Sequence, residues 1–173
     1  TTVFNTPLFL GADTSITDAG GADPAIDFLS TVDSSTGNAF ALTVDAPNGG
    51  TISFASAVGA TDALSDLTIT QSAGTTFAGT VDLDGQFTVV DSSGTIRFQD
   101  TLTAGSFAGA SGSGGYDVLF DVAPTVAGAG AFASVGGVEF EGGANFGSLV
   151  VSAGTTTLDG VLSTTGTGTL TLG

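Results

Sequence analysis

The chain has 173 residues, 41% of them hydrophobic and only 10% charged, so it is too apolar to read as disordered and long enough to bury a core in one domain. It has no Cys, His, Lys, Met or Trp, and Arg97 alone stands against 17 acidic residues, for a formal charge of −16. That balance would repel phosphate backbones and anionic headgroups, which argues against a nucleic-acid partner or an electrostatic membrane anchor. It also leaves no thiolate metal site, no disulfide framework and no imidazole to shuttle protons near neutral pH.

In chain order, apolar residues alternate in short segments: Ile26/Phe28, Ile52/Phe54, Leu67/Ile69, Phe87/Val89, Ile96/Phe98, Val118/Phe120, Val138/Phe140, Leu149/Val151 and Leu170/Leu172. Clusters of turn residues such as "DAPNGG" and "DSSG" separate them. Gly, Thr, Ser and Asp dominate elsewhere, and none of these favours helix. The expectation is an all-β chain.

A fixed period runs through these strands. Phe4, Phe28, Phe54, Phe77, Phe98, Phe120 and Phe140, with Leu158 in the same role, are separated by 24, 26, 23, 21, 22, 20 and 18 residues. Leu8, Val32, Val58, Val81, Leu102 and Leu162 follow their markers by four residues, whereas Pro124 and Ala144 interrupt that pattern in the sixth and seventh units. "SAGTT" occurs at Ser72–Thr76 and again at Ser152–Thr156. A unit of about 22 residues cannot bury its own apolar face, so copies must stack. This predicts a parallel β-solenoid of about eight coils, one domain over 1–173 and irregular around 105–137, with the marker Phe of each coil on that of the next. A β-sandwich is the alternative, since it too uses short, regularly spaced strands.

"TPLFLGADTSIT", "TISFASAVGATDALSDLTIT", "SAGTTFAGTVD", "GTIRFQDTLT" and "SLVVSAGTTTLDGVLSTTG" resemble the repeats of large secreted bacterial surface proteins, of the filamentous-haemagglutinin and autotransporter-passenger kind. The resemblance implies a right-handed solenoid shaft, exported to the cell surface or beyond, non-catalytic, and serving as stalk, adhesin body or filament. It offers no catalytic residues.

Three acid pairs, Asp82/Asp84, Asp117/Asp121 and Glu139/Glu141, share a strand face and flank inward apolar residues, the pattern of a solvated surface. With no His or Lys beside them, general acid–base work and any enzymatic role are not expected. "GSGGYDVLF" from Gly112 to Phe120 matches one copy of the calcium-binding nonapeptide G-G-x-G-x-D-x-U-x through Gly112, Gly115 and Asp117, with Leu119 at the apolar position and Ser113 in place of a Gly. Calcium is the one metal these residues suggest; a hard cation wants six or more oxygens, and a single copy supplies few. A Gly-rich turn entering a strand explains the same letters. Tyr116, in that turn, is expected to be an exposed contact residue, and Arg97 to point outward toward a carboxylate.

Neither end reads as a cap: Val3 to Leu10 is already apolar strand, and "TLTLG" stops directly after one. Unpaired solenoid edges recruit strands. The expected partners are therefore further repeats of a longer chain or a second copy stacked end to end, with a calcium-dependent or glycan-binding module as the alternative function.

Overall fold

In a computed structural model, residues 1–110, 115–133, 136–152, 154–165 and 168–172 are described, and their regular structure is entirely β. The strands pair in parallel without exception and build eight coils, so the chain is a parallel β-solenoid.

Each coil contributes to three ladders. The first consists of Thr2–Phe4, Ala25–Phe28, Thr51–Phe54, Thr75–Phe77, Ile96–Phe98, Val118–Phe120, Gly137–Glu141 and Thr155–Asp159. Its register puts Phe4 beside Phe28, then Phe54, Phe77, Phe98, Phe120, Phe140 and Leu158, so the marker residues form one column. The seven rings stack near-parallel with centroids 4.4–5.2 Å apart. That spacing follows from the distance between paired strands, because identical side chains in register must repeat at the strand separation.

Two positions earlier runs an aliphatic column of Ile26, Ile52, Ile96, Val118 and Val138, interrupted at Thr75. Thr75 is buried and its hydroxyl donates to Ser72 Oγ at 3.1 Å, while Ser72 Oγ lies 3.1 Å from Ser92 Oγ. A polar atom inside the stack is tolerated because it has partners.

The second ladder holds Leu8–Leu10, Val32–Ser34, a bridge at Val58, Val81–Asp82 and Leu102–Ala104. The third holds Thr14–Thr17, Leu42–Asp45, Leu67–Gln71, Gln86–Val89 and Ser106–Gly109. In coils six and seven the two ladders fuse into the eight-residue strands Thr125–Phe132 and Ala144–Val151; Leu162–Thr164 and Leu170–Leu172 follow them separately in coil eight. A bulge between Val126 and Ala129 takes up the length difference. Thr103 pairs with Thr125 and Thr125 with Asn145, so Pro124 and Ala144 change the residue type in the second ladder without breaking its register.

A second aromatic column, Phe87, Phe107 and Phe132, stacks at 5.2 and 4.5 Å on the third ladder and meets the first column edge-on. The two "SAGTT" segments are not equivalent: Thr75 points into the core, whereas Thr155 is exposed and Thr156 takes the inward register opposite Val138. The distance to the following Phe77 or Leu158, and not the wording, sets the register.

Five glycines line the corner where the second ladder turns into the third: Gly85, Gly105, Gly128, Gly147 and Gly168. A Cβ on Gly128 would stand 2.6 Å from Gly105 O, and one on Gly147 would stand 2.7 Å from Gly128 O. Each coil's corner backbone therefore lies directly against the carbonyl of the coil before it.

Candidate functional site

Both ends of the stack leave strand edges unpaired among the described residues. In coil one, Leu29 N donates to Phe4 O, so Thr2 and Phe4 direct their backbone groups toward coil two, and Val3 directs its N–H and C=O away from the stack. In coil eight, Thr155 N donates to Gly136 O and Asp159 O accepts from Gly142 N; Thr156 and Leu158 are left facing the open edge. Core positions emerge into solvent at the same places. Phe4, Leu8 and Ile16 are half-buried and Leu158 is 40% exposed, whereas Phe28 through Phe140 in the same column are closed to water.

Several acidic side chains tie down the backbone of a neighbouring coil. Asp33, itself buried, accepts from Thr61 N at 2.9 Å; Asp13 from Ala41 N, Asp62 from Gly37 N and Asp66 from Gln86 N do the same in exposed loops. Asp18 accepts from Gly20 N and from the Thr2 hydroxyl, and those hydrogen bonds, the backbone one foremost, hold its carboxyl below the usual aspartate range. Asn, Ser and Asp loops of this kind are sequence-legible as turns, but which carboxylate spans to the neighbouring coil depends on register.

Of the acid pairs, Asp82/Asp84 and Glu139/Glu141 lie on exposed faces flanking Leu83 and Phe140. Asp121 is taken up by Arg97, whose Nε lies 3.1 Å from both carboxylate oxygens and whose Nη2 lies 2.8 Å from Oδ2. That contact, with the Asp121 charge, raises the guanidinium pKa; the pair is solvent-exposed and contributes little stability.

Asp117 lines an open groove of about 290 Å³ on the first ladder, with Glu139, Thr95, Gly137, Thr155 and Thr157. Gly137 makes the groove by withholding a side chain next to Asp117. Gly115 sits in a left-handed turn at φ +63° with open space around its Cα, so it positions the chain entering Val118–Phe120. Gly112 lies outside the described residues. Among the described residues, no group of three or more acidic side chains converges on one point.

Tyr116 departs from the sequence expectation: it is 2% exposed and packs in the core, with its hydroxyl donating to Ala110 O at 3.1 Å. The space comes from Gly109, an inward position of the third ladder where a Cβ would reach within 3.0 Å of the Tyr116 hydroxyl oxygen. Burial raises the phenol pKa above its ordinary value, with the nearby Asp91 charge adding to the shift.

No family model, curated protein or solved structure matches this chain.

Proposed function

We propose that this chain is a non-catalytic shaft element of a bacterial surface structure or extracellular filament, in which coils continue past both open edges, through a second copy stacked head to tail or through further repeats of a longer chain. One geometric match carries the reading. If Phe4 of one copy takes its place after Leu158 of another, the pairing rule of the preceding seven steps puts Val3 N–H on Thr156 O and Leu158 N–H on Val3 O. Leu162 then meets Leu8, and Leu172 meets Ile16, while Leu170 meets Thr14 and Thr164 meets Leu10, so two of these four inward pairs are apolar on apolar. Such a head-to-tail contact does not close on itself and generates a filament. The role is mechanical, with backbone hydrogen bonds along the axis and aromatic columns inside. The resemblance of the repeats supports the bacterial, extracellular setting.

Negative-stain micrographs of the purified chain test it. Filaments are expected, and Val3→Pro, which removes one donor from the open edge and none from the internal ladder, is expected to leave single short rods. A wild-type chain that stays monomeric at high concentration overturns stacking between copies. The alternative, a calcium-dependent or glycan-binding module, would use the Asp117–Glu139 groove. Saturable heat on titrating calcium or an oligosaccharide into a stable monomer would favour it instead.

A further inference from the structure

One inward column of the first ladder runs Thr2, Ile26, Ile52, Thr75, Ile96, Val118, Val138 and Thr156, so hydroxyls stand in coil four and in both outermost coils. In coil four the Thr75 hydroxyl is satisfied by Ser72, three residues before it. In coil eight the second "SAGTT" segment is slipped by one: the inward threonine is the fourth residue after Ser152, and Ser152 is exposed. Thr156 Oγ1 is closed to water and has no hydrogen-bond partner among the described residues. A buried hydroxyl left unpaired is costly, and native chains rarely keep one.

A complement stands at the other end of the stack. Thr2 is half-buried in coil one, and its hydroxyl donates to Asp18 Oδ2 at 3.0 Å, which leaves the Thr2 oxygen able to accept. The Asp18 side chain is itself only 11% exposed. Register neighbours in this chain do bond across one strand spacing: Ser53 Oγ donates to Asp27 Oδ1 at 2.6 Å, and Ser163 Oγ to Asn145 Oδ1 at 3.2 Å.

We propose that Thr156 of one copy donates to Thr2 of the next, closing a buried chain from Thr156 through Thr2 to Asp18 that fixes the register of the joint. This rests on the head-to-tail reading above and names the side chains that make it specific. Stacking Phe4 after Leu158 puts Thr2 directly after Thr156, with Val138 and Ile26 on either side, so two hydroxyls meet inside an otherwise aliphatic stretch. The occupant is a second copy in that orientation and register. Coil one against coil one leaves Thr156 unpaired. A slip by one residue turns the whole strand to the wrong face, and a slip by two sets Thr156 against the Phe4 ring. A single polar position buried in an apolar seam specifies register in the same way between paired helices. Outside the core, Asp159 falls opposite the amide of Asn5, so the joint adds no carboxylate to the Glu141 and Asp159 pair already in register.

The critical concentration for filament growth, read by pelleting, tests this contact apart from stacking itself. Thr156→Val keeps the shape and removes the hydroxyl; it is expected to raise the critical concentration roughly fivefold, the weight of one net hydrogen bond. Below that concentration the same variant is expected to melt higher than the wild type, because it removes an oxygen that lacks a partner in the single copy. Thr156→Ser keeps the hydroxyl and should polymerise close to wild type. Thr2→Val alone should weaken growth as Thr156→Val does, whereas the two together set apolar on apolar and should bring the critical concentration back toward wild type. Filaments whose critical concentration Thr156→Val leaves unchanged overturn the proposed contact while stacking stands, and so does additive loss in the double variant. A lowered melting temperature in Thr156→Val assigns the hydroxyl a role within its own coil and overturns it too. A wild-type chain that never polymerises removes the joint itself, and both readings fail together.

Discussion

The ring of Phe146 fills the place that a side chain on Gly130 would occupy. A Cβ on Gly130 would come within 2.5 Å of the Phe146 Cδ1 and Cε1 atoms, and within 3.3 Å of Leu149 Cδ1. Gly130 follows Phe107 in an inward column whose other positions from Leu42 to Leu170 are large apolar residues, and Phe146 comes from the neighbouring second-ladder register, so one coil lends volume to the next. Gly130→Val is expected to cost about 1–3 kcal/mol by overpacking. Combining it with Phe146→Leu should recover part of that loss, a non-additivity that urea denaturation of the two single variants and the double variant would measure.

The first ladder was legible because its signal repeats: Phe or Leu recurs once per coil, and the structure stacks those residues in register. The second aromatic column was not, because Phe87, Phe107 and Phe132 occupy two different inward positions, Phe107 aligning with Gly130 and Phe132 with Gly109. Tyr116 was misread for a related reason. Its surrounding glycines announce an exposed turn, and only the register reveals that Gly109 vacates the space its ring enters. The corner glycines do recur, from Gly85 to Gly168, but their spacing drifts with coil length and is hidden among other glycines.

Phe98 sits at the centre of the aromatic packing, stacked on Phe77 and Phe120 at 4.8 and 4.9 Å and meeting Phe87 and Phe107 edge-on. Phe98→Ala is expected to cost about 3–5 kcal/mol, the usual range for a buried aromatic. Phe4, with one stacked neighbour and partial exposure, should cost distinctly less. Because a solenoid's stability is a sum of coil and interface terms, the Phe98 change should also split the unfolding transition, while the Phe4 change should only fray one end. Hydrogen exchange resolved by segment would distinguish the two.

Gly147 faces the carbonyls of Ala127 and Gly128, and a Cβ there would overlap both. Gly→Ala ordinarily stabilises by lowering unfolded-chain entropy where the backbone permits it. At Gly147 the sign reverses, since the obstacle is backbone that cannot move without displacing the previous coil. Gly147→Ala is expected to lower the melting temperature, whereas Gly11→Ala, with open space around its Cα, should change it little. Paired thermal melts of the two variants check the contrast.

Tyr116 is the only tyrosine, so the ultraviolet signal of tyrosinate reports one site. Its folded pKa is raised, first by burial and then by the Asp91 charge. The unfolded phenol titrates near pH 10. The folded state therefore binds the proton more tightly. The contribution of this group to stability is intact below about pH 10 and is lost as pH rises beyond it, when the unfolded chain can ionise and the folded one cannot. The expected titration shows no tyrosinate until the chain unfolds, with absorbance and circular dichroism changing together. Tyr116→Phe loses the hydrogen bond to Ala110 O, which should cost about 1 kcal/mol at neutral pH. The same change removes the ionisable group, so the alkaline decline in stability should become shallower. A smooth tyrosinate titration centred near pH 10 with the fold intact would place the phenol in water, against the buried position found here.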